Sequence, residues 1–85
     1  MYYTVPKLRG MRIYEHVKDA RKDAIRFLKD SGSDRHIEIY ERRRGYQGYV
    51  TNFYCKVKKR TIQIYHTENG IDHVLNQDGT FRKRK

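Results

Sequence analysis

Tryptophan is absent from this sequence, and cysteine and proline occur once each. The lone cysteine, Cys55, cannot close a disulfide within the chain. No CxxC pair or Cys/His cluster accompanies it, which excludes a structural zinc site of ordinary spacing. No apolar run approaches the ~20 residues that a membrane-spanning helix needs. Residues 1–10 lack the apolar centre of a signal peptide. No phosphate-binding glycine loop, no paired carboxylates with a matched base and no Ser/His/Asp arrangement is present. These absences predict a soluble, cytoplasmic, non-enzymatic protein with no metal, no cofactor and no membrane partner.

Carboxylates are scarce as well. Ten Asp and Glu stand against twenty Lys and Arg, a formal net charge of +10. Such an excess attracts polyanions, nucleic acid before anionic membrane. The 85 residues make one domain with a small core, burying roughly 60–65% of the unfolded surface. Eleven aromatic residues, eight of them tyrosine, argue against disorder. The apolar bulk thus often carries a polar tip.

The chain reads as an α+β two-layer sandwich in the order β-(β)-α-β-β-β-β. Residues 1–80 form the domain and 81–85 a basic, mobile tail. Tyr2–Val5 is rich in strand formers, and Met11–His16 alternates, so the two can form a hairpin over Pro6–Gly10. Asp19 is the expected helix N-cap and Ser31-Gly32 the expected stop. Between them Ala20, Ala24, Phe27 and Leu28 share one stripe, opposite a face of mixed charge. Mixed charge suits a lid on a sheet better than a rail for a polyanion or a membrane anchor.

From His36 to Leu75 the pattern is a four-stranded meander. A two-residue Asn69-Gly70 turn of type I′ places Tyr65 opposite Val74 and Ile64 opposite Leu75. A two-residue Lys59-Arg60 turn places Cys55 opposite Ile64 and Tyr54 opposite Tyr65. The first hairpin needs an odd count. A three-residue loop, Arg44-Gly45-Tyr46, sets Ile39 against Thr51 and Ile37 against Phe53, and Gly48 makes a bulge easy. Apolar residues then meet on one face, from Ile37 and Ile39 through Tyr49, Phe53, Cys55 and Val57 to Ile62, Ile64 and Leu75. Agreement among three hairpins outweighs any single strand assignment.

The opposite face carries the functional expectation. Tyr40, Tyr54 and Tyr65 lie there among Lys56 and Lys58, with Arg42 at the edge. Bases stack on such rings for roughly 1–3 kcal/mol each while cations follow the phosphates, the chemistry of single-stranded nucleic acid binding. Arg43, Arg44, Arg60, Arg82, Lys83 and Arg84 extend the basic footprint. The same tyrosines could serve the sheet alone, since cross-strand Tyr pairs stabilise it by up to ~1 kcal/mol. They could also form an interface with a partner protein or a second copy. One enzymatic alternative is ribonuclease chemistry by His66, His73, Tyr65 and Arg60. His66 and His73 fall side by side without a third ligand for a metal, and rim histidines are the simpler reading.

Overall fold

The computed structural model describes residues 1–8, 12–68 and 70–84, with Glu68 through its backbone alone. Among them seven strands form one antiparallel sheet: β1 (Tyr2–Thr4), β2 (Ile13–Tyr14), β3 (Arg35–Arg43), β4 (Tyr46–Lys58), β5 (Thr61–Glu68), β6 (Ile71–Leu75) and β7 (Phe81–Lys83). They lie in the spatial order β2-β1-β3-β4-β5-β6-β7. One helix, α1 (Val17–Lys29), packs against one face. The molecule is the α+β sandwich that the sequence pattern predicts.

The helix turns Ala20, Ala24 and Leu28 inward, one residue per turn along a single stripe, and all three are buried. Beneath them lie Ile37, Ile39, Phe53, Cys55 and Ile64. The two alanines leave room for the bulkier sheet residues, of which Phe53 is the largest fully buried one. Removing each large side chain from water contributes about 1.5–3 kcal/mol. The helix begins earlier than expected: His16 is the N-cap, and Asp19 sits in the first turn. There its carboxylate faces the positive end of the helix dipole without capping a backbone N–H. The stop is as expected. The Ser31 N–H and Oγ both donate to Leu28 O, and Gly32 turns the chain away at φ +68°.

The meander registers hold at most of the expected pairs, although Ile64–Leu75 is not among the paired residues of β5 and β6. Ile37 faces Phe53 and Ile39 faces Thr51, Cys55 faces Ile64, Tyr54 faces Tyr65, and Tyr65 faces Val74. The odd count in the first hairpin arises differently from the expected three-residue loop. Arg43 pairs with Tyr46 across a two-residue Arg44-Gly45 turn, and the extra residue is Val50, where the register shifts between Ile39 and Tyr40. A bulge reverses the facing of everything beyond it. Tyr49, expected on the apolar face, therefore pairs with Tyr40 on the other one.

Three further differences concern the ends. β1 lies between β2 and β3, pairing Tyr3 with Tyr14 on one side and with Glu41 on the other. The second strand is shorter than expected, and Arg9, Gly10 and Met11 of that hairpin lie outside the described residues, as does Asn69 of the type I′ turn. The expected mobile tail is instead strand β7: Leu75 pairs with Phe81, Val74 with Arg82 and His73 with Lys83. The reason is Phe81, whose ring stacks on Phe53 at 5.8 Å and meets His66 edge-on at 4.3 Å. An apolar anchor among the cations draws the segment onto the sheet.

Candidate nucleic-acid interface

The face away from the helix is not a uniform tyrosine platform. At its centre Tyr54 and Tyr65 stack, with centroids 5.0 Å apart and planes 14° from parallel. The Arg84 guanidinium lies over Tyr65 at 5.3 Å, and the Tyr65 hydroxyl donates to Gln63 Oε1 at 2.6 Å. Tyr65 is only 5% exposed and Val74 beside it 6%. Tyr65, expected as an open stacking ring, is thus already covered by the Tyr54 ring and the Arg84 guanidinium. Tyr54 and Arg84, just past β7, supply on this face the cover that the helix supplies on the other. Burial, and next the Asp72 carboxylate, push the Tyr54 phenol up to about 12.

Two carboxylates interrupt the basic surface. The Tyr40 hydroxyl donates to Glu38 Oε2 at 2.5 Å, and His36 Nε2 lies 3.3 Å from Oε1 of the same group. These bonds hold the Glu38 carboxyl below its usual range, Tyr40 contributing most. Asp72 is held low in the same way by Tyr54 first and Thr67 second, with smaller help from the charges of Arg84 and Lys56. Both carboxylates therefore stay ionised between the two ends of the face.

The expected cations consequently sort into two groups at opposite ends of β4. Thirteen residues of strand at ~3.3 Å each separate them by about 40 Å, nearly the full 43 Å length of the molecule. At one end Arg42, Arg43 and Arg44 crown the β3–β4 hairpin. The Arg43 guanidinium sits 4.7 Å above the Tyr46 ring, and its Nε is 3.8 Å from Glu41. Tyr46 lies over Gly48, where a Cβ would come within 2.8 Å of the ring. Tyr40 and Tyr49 meet edge-to-face at 6.2 Å on the opposite side of this hairpin, and Tyr49 is 56% exposed. Sequence reasoning missed Tyr46 and Tyr49 as surface rings. Gly48 ahead of Tyr49-Val50 was the available signal, since a bulge there re-aims its neighbours.

At the other end a groove of about 620 Å³ gathers Lys56, Lys58, Lys59 and Arg84 around Gln63 and Tyr65. None of these four cations makes an ion pair within 4.0 Å among the described residues. Asp34, also in the groove, accepts from the Val57 N–H at 2.8 Å. Four of the expected contacts, Lys56, Lys58, Tyr65 and Arg84, thus converge here with Tyr54 alongside. Lys59 joins them from the β4–β5 turn at φ +57°, and Arg60 follows it there, exposed. Arg82 faces this side through its pairing with Val74 and is held by Asn76. Lys83 pairs with His73 and so faces the helix side.

The ribonuclease set does not converge. His66 and His73 stack at 4.8 Å on the helix side, whereas Tyr65 faces away from them and Arg60 sits in the distant β4–β5 turn. No group of three potential metal ligands occurs among the described residues. No helix among them is long and apolar enough to cross a membrane. Cys55 is buried, its Sγ 3.4 Å from Ser33 O. No protein-family model matches the chain, and no curated protein and no solved structure matches it either.

Proposed function

We propose that this protein is a non-catalytic binder of single-stranded nucleic acid. Phosphates lie in the Lys56–Lys58–Lys59–Arg84 groove, and the backbone runs on toward the arginine hairpin. The observation that carries the reading is the groove itself: four convergent cations that make no ion pair within 4.0 Å among the described residues, beside a pair of stacked tyrosines. Cations each matched by a close carboxylate would be ordinary solvation, but cations in excess of the carboxylates of a concave strip attract a polyanion. Base stacking falls to Tyr49 and the edge of Tyr54 rather than to Tyr65. The test is binding of labelled single-stranded oligonucleotides, followed by anisotropy over a range of salt. Salt-sensitive binding weakened by Lys56→Gln with Lys58→Gln is expected. Absence of binding at low salt overturns the proposal.

A second reading, a protein interface or homodimer, is favoured by one observation. Pairing between β4 and β5 ends at Phe53–His66, so Tyr46–Asn52 has no strand partner on that side among the described residues. This segment carries no charge and exposes Tyr46, Tyr49 and Val50. Unprotected edges of this kind invite a further strand. Sedimentation at increasing concentration tests it: a chain that stays monomeric up to the highest concentration removes the homodimer.

A further inference from the structure

The largest cleft described in the molecule, about 830 Å³, opens where β4 diverges from β5–β7, with Arg21, His66 and His73 reaching it from the helix side and Tyr49 from the other. Arg21, Tyr49, Thr51, His66, His73 and Thr80 line it. These groups are linked through a common aromatic floor. The Arg21 guanidinium lies 5.6 Å from the Phe53 centroid, and the His66 ring lies 5.9 Å from the same centroid. His73 stacks on His66 at 4.8 Å. His73 Nδ1 is 3.0 Å from Ile71 O. A carbonyl can only accept, so Nδ1 carries the proton and Nε2 is left as an acceptor, suited to the P–OH of a singly protonated phosphate ester. The nearest further charge by register is Lys83, opposite His73. None of the described lining residues is acidic, in a chain with ten carboxylates.

We infer that this cleft binds a phosphate monoester, with Arg21 and the His66–His73 pair around the phosphoryl group and the exposed Tyr49 ring beside its organic part. The Arg21 guanidinium and the Thr51 and Thr80 hydroxyls can donate, and a guanidinium with no described carboxylate on the walls matches an oxyanion better than a cationic ligand. The volume exceeds that of a bare phosphate and falls in the range of small-molecule sites. Either a free phosphorylated metabolite or the phosphorylated end of a nucleic acid strand presents this chemistry. Arg21 and the histidines lie on the opposite side of the sheet from the Lys56 groove; Tyr49 is common to this cleft and the nucleic-acid reading, so the Arg21 and Lys56 variants are what tell the two apart.

The test follows the histidine ring signals by NMR while inorganic phosphate, a nucleoside monophosphate, a 5′-phosphorylated oligonucleotide or the unphosphorylated nucleoside is added. The first two are expected to shift His66 and His73, and the nucleoside is not. A 5′-phosphorylated oligonucleotide that competes with the monophosphate assigns the strand end as the source; one that does not compete assigns the free metabolite. Arg21→Gln is expected to lose about tenfold or more in phosphate affinity, the loss of one charge-assisted pair, and Lys56→Gln to leave it unchanged. Should Arg21→Gln fail to fold, His73→Gln at the half-exposed rim carries the same expectation. Unmoved histidine signals, equal affinity in the variants, or equal binding of the nucleoside would overturn the inference.

Discussion

Removing charge from the Lys56 groove has a calculable consequence. On a single strand each neutralised phosphate contributes about −0.7 to the slope of log affinity against log salt. Four phosphates, one for each of Lys56, Lys58, Lys59 and Arg84, give a slope near −2.8, or an affinity loss of about fifty-fold between 50 and 200 mM salt. Lys56→Gln with Lys58→Gln leaves two contacts, a slope near −1.4 and a loss of about sevenfold over the same range. Both lysines are exposed, so the fold should be untouched. The assay is fluorescence anisotropy of a labelled oligonucleotide, with far-UV circular dichroism as the control for folding. Arg42→Gln with Arg44→Gln separates the other end of the molecule. An unchanged slope in the lysine pair, together with a halved slope in the arginine pair, would refute the groove and move the phosphates to the hairpin.

Phe53→Ala should cost about 3–5 kcal/mol, because Phe53 is fully buried and supports Arg21, His66 and Phe81. For so small a domain that is most of the stability, and urea unfolding should lose its cooperative transition. Deleting residues 81–85 should lower the midpoint of thermal unfolding clearly, since it removes β7 and the Phe81 ring; a midpoint unchanged within error would return the segment to a free tail. Lys59→Gly should stabilise by about 0.5–1 kcal/mol: the left-handed conformation at φ +57° costs a non-glycine residue about 1–2 kcal/mol, partly offset by the entropy of glycine. Raising pH should destabilise the fold between 10 and about 12. The Tyr54 phenol ionises near its ordinary value of 10.0 when unfolded and only at about 12 when folded, so its contribution is complete below 10 and fades above it. Tyr54→Phe should flatten that part of the stability profile.

Much of the fold was legible because side-chain alternation and turn chemistry gave the same answer independently. Ile37–Phe53, Cys55–Ile64 and Tyr65–Val74 could be paired from spacing alone, and the alanine stripe had no other surface on which to pack. The helix start was displaced because Asp19 resembles a cap. The polypeptide instead folds into helix as soon as β2 releases it, and Asp23 is then used to bind the Tyr14 hydroxyl at 2.7 Å and Arg12 at 3.4 Å. Such tertiary partners have no local signature.

The candidate site was harder to read, because two features that decide it are non-local. Period-two alternation puts a residue on a face only while the register continues, and one extra residue at Val50 moved Tyr49 from core to surface. It also coincides with the parting of β4 from β5. That parting leaves both the uncharged edge and the cleft that reaches His66 and His73. The second feature is Phe81. Surrounded in sequence by cations, it reads as part of a charged tail, yet its contacts with Phe53 and His66 fix β7 and with it the direction of Arg84. Arg84 then closes over Tyr65 and completes the groove. One half-buried ring thus turns a charged segment into an ordered strand, and withdraws from the surface the tyrosine that composition alone would have offered for stacking.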